Sequence, residues 1–228
     1  MTIEFCVNQR RRQVPAELVE RFRSLPVANI SDSMSRMTAA GPRLRPLHAG
    51  GVLCGPAITV KTRPGDNLML HMALNCAAAG DVIVVDAGGD LTNAITGERM
   101  LAYCVAKKFG GVVINGAVRD YGWIRSQAFP VFAAGVTHRG PYKDGPGSIN
   151  VPIALDGMVI EPGDLIVGDE DGLVCVPFAQ AASIVELAAA KHKSESDTFA
   201  SIGKADNNKS AYVKKLRELG CVFEEGMA

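Results

Sequence analysis

Gly80-Asp81-Val82-Ile83-Val84-Val85-Asp86 is a short apolar run between turn residues, a pattern typical of a buried β-strand. Residues 98–109 then have the apolar spacing of a helix, and Gly110-Gly111 ends it. The face of this helix that is expected to pack carries Leu101, Ala102, Val105 and Phe109. Val112-Val113-Ile114 is predicted as the next strand. The alternation of strand, helix and strand predicts parallel pairing through a right-handed crossover.

The segments before this run extend the α/β pattern towards the N-terminus. Ala16 to Leu25 is predicted as an amphipathic helix. A second helix is expected to begin at Ser31 or Asp32, because either side chain can cap the free N–H groups of a first turn. Residues 52–61 have the composition of a strand, with an interruption expected at Gly55-Pro56.

The second half of the chain has a different pattern, in which short strands are joined by turns. Strands are predicted at residues 150–153, 158–160, 164–168 and 173–176. These strands are separated by turns at Asp156-Gly157, Pro162-Gly163 and Asp169-Glu170-Asp171-Gly172. Such turns favour hairpins.

Two helices are predicted after the last strand, from Phe178 to about Lys193 and from Ser210 to Leu219. No long linker or low-complexity tract divides the chain. We therefore expect one layered α/β domain over residues 1–228, with mixed sheets. It would carry an N-terminal helical lead over residues 1–25 and a helical tail over residues 178–228.

The composition restricts the classes of function. Lys+Arg and Asp+Glu both number 24 in the 228 residues, so the chain has no basic footprint for nucleic acid. No apolar run reaches signal-peptide or membrane-span length, so we expect a soluble, cytoplasmic protein without a membrane partner. The six cysteines show no metal-ligand spacing and are interpreted as reduced, mostly buried small hydrophobes.

Two polar motifs flank the helix at residues 98–109. Gly97-Glu98-Arg99-Met100 precedes it, and Gly116-Ala117-Val118-Arg119-Asp120 follows the next strand. Twenty residues lie between Glu98 and Arg119, enough for one helix and the returning strand, so two acids and a guanidinium are able to converge. Such a set is typical of a site for a hard divalent cation and a 2-oxo acid. The alternative is a structural ion pair between Arg119 and Asp120.

Several motifs together resemble the RraA-like family, over roughly residues 25 to 205. They are Pro64-Gly65-Asp66-Asn67, residues 80–86, Gly97-Glu98, residues 116–120, Asn150-Val151-Pro152, Pro162-Gly163-Asp164 and residues 169–172. This family includes class II 4-hydroxy-4-methyl-2-oxoglutarate / 4-carboxy-4-hydroxy-2-oxoadipate aldolases. The resemblance implies a swivelling β/β/α-type fold, assembled as a homotrimer or as a dimer of trimers.

The resemblance also implies roles for individual residues. Asp120 corresponds to the ligand of a divalent cation, Mg or Mn, and Arg119 to the arginine that binds pyruvate. Gly97-Glu98-Arg99-Met100 corresponds to a Gly-Asp-Leu-Leu segment whose backbone helps to bind the keto acid. The chain departs from that pattern, since Glu98 is longer than Asp and Arg99 adds a cation. Glu98 is expected to orient a water molecule beside the cation.

Three further residues match family positions around the site. Asn67 and His71 lie four residues apart on a helix predicted from Asn67 to about Ala78, and so share a face. The alternative is that Asn67 only satisfies a turn and that His71 is a packed core imidazole. Glu195 lies where the family uses an acid from an adjacent subunit, although a solvated charge explains this residue as well.

The implied activity is cleavage of a 4-hydroxy-2-oxo di- or tricarboxylate to pyruvate and a second 2-oxo acid, with oxaloacetate decarboxylation as a side activity. Three alternatives stay open. One is a Schiff-base aldolase that uses Lys61, Lys107 or Lys108. Another is a non-catalytic regulator that binds ribonuclease E, and the third is a structural oligomer with a vestigial pocket.

Overall fold

A computed structural model describes residues 5–202 and 209–224. The chain divides between Ala189 and Ala190 into two compact units. Within the described ranges, no helix is both long enough and apolar enough to cross a membrane.

The helices in chain order are α1 (Ala16–Arg23), α2 (Val27–Ser33), α3 (Leu68–Cys76), α4 (Glu98–Ala106), α5 (Tyr121–Ile124), α6 (Ala181–Ser201) and α7 (Lys209–Glu218). A 3-10 turn, Phe178–Gln180, precedes α6. The strands are β1 (Cys6–Val7), β2 (Arg45–Pro46), β3 (Leu53–Thr62), β4 (Val82–Asp86), β5 (Ala94–Thr96), β6 (Gly111–Val118), β7 (Val131–Val136), β8 (Gly147–Ile149), β9 (Ile153–Leu155), β10 (Met158–Ile160), β11 (Leu165–Gly168) and β12 (Leu173–Val176).

Most strands of the first unit join one mixed sheet in the order β1-β8-β3-β4-β6-β7-β2, with β5 beside β6 and with β11 between β12 and β3. The pairs β3–β4, β4–β6 and β6–β7 are parallel, whereas β11 pairs antiparallel with both neighbours. All eight residues of β6 are buried, as expected for a strand covered on both faces. The predicted α/β class, with a mixed sheet and C-terminal helices, is confirmed.

Strand β3 is continuous through Gly55-Pro56, so the predicted interruption is wrong. The strand changes partner at this point, because Leu53 to Pro56 pair with β11 and Ala57 to Lys61 pair with β4. Gly55 allows the backbone of Gly80 to approach closely, since a Cβ at Gly55 would collide with the Gly80 carbonyl oxygen.

Helix α2 begins at Val27, earlier than the predicted start at Ser31 or Asp32. Its first N–H group donates to the carboxylate of Asp169 at 2.9 Å, so a distant side chain supplies the cap. The packed face of α4 also differs from the prediction, because Leu101 is buried while Ala102 and Val105 are exposed.

Two of the three predicted hairpins are present. Asp156-Gly157 joins the antiparallel pair β9–β10, and both residues have positive φ, as a type I′ turn requires. The turn over residues 169–172 joins β11 to β12. The hairpin predicted at Pro162-Gly163 is wrong, because β10 pairs with β9 while β11 pairs with β12 and β3.

All six cysteines are free thiols, and Cys54, Cys104 and Cys175 are buried. Burial raises the pKa of Cys54 and of Cys104 to about 12, which keeps both thiols protonated at neutral pH. These buried cysteines therefore behave as small hydrophobic residues rather than as nucleophiles.

Candidate active site

A cleft of about 740 Å³ lies where residues after the carboxyl ends of β3, β5 and β6 meet. Ligand sites are common at this edge of parallel strands. Seven of the predicted site residues line the cleft, and they are Asn67, His71, Gly97, Arg99, Met100, Arg119 and Asp120. The sequence motifs that lie 20 to 50 residues apart therefore converge in three dimensions.

Arg119 and Asp120 leave the end of β6 together. The Arg119 N–H donates to the Thr96 carbonyl at 3.0 Å, which ties this segment to β5. Arg119 Nε lies 3.7 Å from Asp120 Oδ2, and the two side chains are 46% and 41% exposed. A pair this long and this exposed adds little to stability, which argues against the purely structural interpretation.

Asp120 adopts a left-handed backbone conformation with φ 61° and ψ 39°. This conformation costs free energy in residues other than Gly, although Asp and Asn tolerate it better than most. The conformation allows Asp120 Oδ2 to accept a hydrogen bond from the Glu98 N–H at 3.0 Å. The start of α4 and the end of β6 are thereby joined directly.

Gly97 allows these two segments to approach. A Cβ at this position would collide with Asp120 Oδ2 and would lie 2.8 Å from the Cγ of Arg119. The Glu98 side chain is exposed and does not line the cleft; its contribution to this contact is the backbone N–H. The structure thus brings Asp120 and Arg119 together and leaves the Glu98 carboxylate outside the cleft wall.

Asn67 occupies the N-cap position of α3 without a capping hydrogen bond from its side chain, and it is almost fully buried, at 3% exposure. Its Nδ2 donates to the Ile95 carbonyl at 3.0 Å, whereas its Oδ1 is buried without a hydrogen-bond partner. An unpaired buried oxygen in a cleft wall is ready to accept a hydrogen bond from a ligand or from water. Besides any role in the turn, Asn67 therefore gives the cleft wall a free hydrogen-bond acceptor.

His71 is exposed to the cleft, so the interpretation as a core imidazole is wrong. Partial burial lowers the pKa of His71, and the nearby charges of Lys143 and Arg99 lower it further. Three permanent cations, Arg99, Arg119 and Lys143, line the cleft beside one carboxylate, Asp120. The cleft therefore favours a ligand with several negative charges.

Sequence reasoning missed Lys143, which reaches the cleft from the loop after β7. Asp66, which is fully buried, positions this loop. Its Oδ2 accepts hydrogen bonds from the N–H groups of Asp144 and Gly145 at 2.7 and 2.9 Å. The motif Pro64-Gly65-Asp66-Asn67 was recognised, but the loop that it holds is nearly 80 residues away.

Asp66 should stabilise the fold through its ionised form. Burial acts to raise its pKa, but hydrogen bonds from the N–H groups of Leu68, Asp144 and Gly145, together with the charge of Arg63, outweigh burial and lower it. This stabilisation is present above the unfolded-state pKa of about 3.9 and is lost as the pH falls through the lower folded-state value.

Asp66→Asn is expected to reduce the free energy of unfolding by about 1–3 kcal/mol at neutral pH, because the variant loses a charged acceptor of several hydrogen bonds. Urea titrations at neutral pH and near pH 3 measure this difference, which should shrink at the lower pH. Asp144→Asn is the control, since that side chain is 73% exposed. An equal loss at both values of pH would contradict the role of the charge.

Glu195 lies on α6 in the second unit, where its Oε1 is 3.3 Å from Lys191 Nζ one turn away. This local ion pair is what the solvated-charge interpretation predicts. The adjacent-subunit role of Glu195 stays a prediction.

Comparison with known proteins places these residues in a family. The family model RraA-like, described as Aldolase/RraA, matches residues 27–175. The chain belongs to the RraA-like family. The matched range contains every predicted site residue except Glu195.

Relatives in the RraA-like family carry aldolase names. One from Halalkalibacterium halodurans, provisionally named a 4-hydroxy-4-methyl-2-oxoglutarate aldolase, is 37% identical over 90% of this chain and 97% of its own length. A 4-hydroxy-4-methyl-2-oxoglutarate aldolase from Thermus thermophilus is 35% identical over 49% of this chain and 68% of its own length. The crystal structure of Streptomyces coelicolor RraAS2 matches with a TM-score of 0.75 at 27% identity, over 82% of this chain and 98% of that one.

Proposed function

We propose that this chain is a divalent-metal-dependent aldolase. Its substrate would be a 4-hydroxy-2-oxo di- or tricarboxylate, namely 4-hydroxy-4-methyl-2-oxoglutarate or 4-carboxy-4-hydroxy-2-oxoadipate, and its products pyruvate and a second 2-oxo acid. The observation that carries the proposal is the convergence of Arg119, Asp120 and the start of α4 in one cation-rich cleft. The aldolase names of the relatives support the same reaction class.

The reaction sets the requirements for the site. The C3–C4 bond breaks, and its electron pair passes to the pyruvate half, which becomes an enolate and is then protonated at C3. The 4-hydroxyl group loses its proton as C4 becomes the carbonyl carbon of the second product. The site therefore needs a donor for the growing negative charge on the 2-oxo oxygen, and an acceptor for the hydroxyl proton.

Arg119 meets the first requirement. Its side chain is half exposed in the cleft, and its Nε faces Asp120 at 3.7 Å, a separation too long for a hydrogen bond. The remaining guanidinium N–H groups are therefore able to donate to the enolate oxygen, where a charge-assisted hydrogen bond strengthens as charge develops. The start of α4 lies beside this point, and the positive end of its helix dipole favours a substrate carboxylate there.

The donor set in the cleft fits a hard divalent cation. Asp120 is the one carboxylate that the described part of the chain places in the cleft wall, and Asn67 adds an unpaired buried oxygen. Mg²⁺ often takes one or two protein carboxylates and fills its other positions with substrate oxygens and water. Asp120 would hold Mg or Mn, with Asn67 satisfied by its hydration. When bound, the cation would neutralise charge on the 2-oxo group.

Oxaloacetate decarboxylation would be a side activity of the same site. Oxaloacetate presents the same 2-oxo acid group, and loss of carbon dioxide leaves the same pyruvate enolate. Arg119 would therefore stabilise both reactions through the same oxygen.

Assays of pyruvate release test the proposed function. Purified protein should release pyruvate from a 4-hydroxy-2-oxo acid with Mg or Mn, and EDTA should stop the reaction. Treatment with borohydride in the presence of pyruvate should leave the activity intact. Inactivation by borohydride would instead indicate a Schiff base, for which Lys143 is now the candidate in the cleft because Lys61, Lys107 and Lys108 do not line it.

A regulator of ribonuclease E is the second candidate function. Streptomyces coelicolor RraAS2, which shares this fold, is described as an unusual member of the RNase ES inhibitor RraA protein family. Binding of ribonuclease E without any chelator-sensitive lyase activity would favour this alternative over the aldolase.

We propose assembly as a homotrimer or as a dimer of trimers. Exposed apolar side chains on α3 and α4 support a contact surface there, and they include Leu68, Met72, Tyr103 and Val105. Light scattering after size exclusion should give three or six chains. If the assembly places Glu195 beside a neighbouring cleft, Glu195→Gln should lower kcat without dissociating the oligomer.

Glu98 is proposed to orient a water molecule rather than to bind the cation. Its N–H is fixed to Asp120, the proposed ligand, so Glu98 lies next to the proposed cation position although its carboxylate is outside the cleft wall. Glu98→Gln should keep the metal affinity within about tenfold, while kcat falls and its pH dependence changes. Calorimetric titration with Mn²⁺ and a pH–rate profile measure the two effects. Loss of metal binding in this variant would show that Glu98 is a ligand.

A further inference from the structure

A second cavity, of about 690 Å³, lies apart from the cleft and shares none of its lining residues. Its wall includes Lys61, Arg63, Pro146, Asn150, Val151 and Pro152. The reaction proposed above uses none of these side chains. The second cavity is therefore free to bind a different ligand.

The cleft and the second cavity lie on opposite faces of β3. Val60 belongs to the core cluster that contains Leu70 of α3, the helix that lines the cleft. Ala57 belongs instead to the cluster that contains Val151, in the wall of the second cavity. Because side chains alternate between the two faces of a strand, Lys61 lies on the same face as Ala57.

Two cations, Lys61 and Arg63, line the second cavity, whereas no acidic residue of the described ranges does. Among the described residues, none forms an ion pair with Lys61. Asp86, its neighbour across β4, instead accepts hydrogen bonds from the Gly88 N–H and from Asn115 Nδ2. The positive charge in this wall therefore favours an anion.

The guanidinium of Arg63 is positioned before any ligand binds. Its Nη2 lies 3.1 Å from Asp66 Oδ2, and its Cζ lies 5.6 Å from the centre of the Tyr142 ring. Within the described residues, its Nε and Nη1 have no hydrogen-bond acceptor. Two N–H donors of a fixed guanidinium suit a phosphate group, and the fixed geometry reduces the entropy lost on binding.

Asn150 and its neighbours add two further requirements on the ligand. Asn150 Nδ2 donates to the Asn8 carbonyl at 2.8 Å, whereas its Oδ1 is buried without a hydrogen-bond partner. This oxygen requires a donor, such as a hydroxyl group. Pro146, Val151 and Pro152 give the wall an apolar part that carbon atoms of a ligand can contact.

We propose that the second cavity binds a phosphate monoester with a hydroxylated carbon skeleton, such as a sugar phosphate. The phosphate, with a charge of about −2, would accept hydrogen bonds from Lys61 and Arg63. A hydroxyl group would donate to Asn150 Oδ1, while the carbon skeleton contacts Pro146 and Val151. A short dicarboxylate without hydroxyl groups would pair with both cations but leave Asn150 Oδ1 unpaired. The inference goes beyond the proposed aldolase function and does not depend on it.

Calorimetry with ribose 5-phosphate tests the site. The wild type should bind it more tightly than inorganic phosphate, and ribose should show no detectable binding. Lys61→Gln should weaken the binding of ribose 5-phosphate by about tenfold or more, the size expected for a lost charge-assisted hydrogen bond. Thermal unfolding of this variant should match the wild type, because Lys61 pairs with no described residue. Lys214→Gln is the control, since Lys214 is exposed on α7 and does not line the second cavity.

Arg119→Gln distinguishes the second cavity from the cleft, which is also rich in cations. This variant should keep the wild-type affinity for ribose 5-phosphate, whereas Lys61→Gln loses it. The reverse pattern would place the phosphate in the cleft and overturn the proposal, as would a wild type that does not bind ribose 5-phosphate. Tighter binding of succinate than of ribose 5-phosphate would overturn the assignment to a phosphate ester. Binding that Lys61→Gln weakens, in a protein without lyase activity, would retain the site and overturn the aldolase.

Discussion

Asp120→Asn is expected to lower the metal-dependent release of pyruvate by a factor on the order of 10³ or more. A bound cation contributes several kcal/mol to charge stabilisation in the transition state, and each 1.36 kcal/mol corresponds to about a factor of ten in rate. Among the residues that the structure describes, Asp120 is the one carboxylate in the cleft wall, so none of them supplies a neighbouring acid there to replace it. Calorimetric titration with Mn²⁺ should show a parallel loss of affinity.

Asn is the appropriate substitution because Asp120 has a positive φ of 61°. Asn tolerates this conformation, and its amide oxygen is still able to accept the hydrogen bond from the Glu98 N–H. Circular dichroism and thermal unfolding should therefore match the wild type. Asp144→Asn serves as the control for activity, because Asp144 does not line the cleft. Wild-type turnover of Asp120→Asn at saturating Mg²⁺ would show that Asp120 is not the ligand.

Local sequence patterns predicted the elements that carry the candidate site. The apolar run at residues 82–86 is β4 as predicted, and the strand predicted at Val112 to Ile114 lies within β6. Their parallel pairing follows from the helix between them. Because Arg119 and Asp120 come directly after β6, and Gly97 directly before α4, the spacing predicted that these segments meet, but the Glu98 carboxylate, which was expected to join them, lies outside the cleft wall.

Contacts between distant segments account for the features that were missed. Helix α2 begins at Val27 because Asp169, 142 residues later, caps it. Lys143 enters the cleft because Asp66 holds the following residues, 78 and 79 positions away. Strand β5 has three residues, too few to show a periodic pattern. No local pattern reports a hydrogen bond that forms only when two loops meet.

Arg119→Gln is expected to reduce kcat by a factor on the order of 10² to 10³, because a preorganised donor to the developing oxyanion is lost. KM should change much less, since the charge on this oxygen grows only during bond cleavage. The segment around Arg119 should keep its place in the variant, because the backbone N–H, and not the side chain, bonds to the Thr96 carbonyl.

Arg119→Lys distinguishes stabilisation of the transition state from simple anchoring. An ammonium group keeps the charge but lacks the planar fork, so kcat should recover only in part. Arg21→Lys offers a matched comparison outside the cleft, because Arg21 pairs with Glu186 on the surface, and its kcat should stay close to the wild-type value. A rise in KM alone, with kcat unchanged in both Arg119 variants, would mean that Arg119 only anchors the substrate carboxylate.

In both Arg119 variants, oxaloacetate decarboxylation should fall in the same proportion as aldol cleavage, because both reactions place charge on the same enolate oxygen.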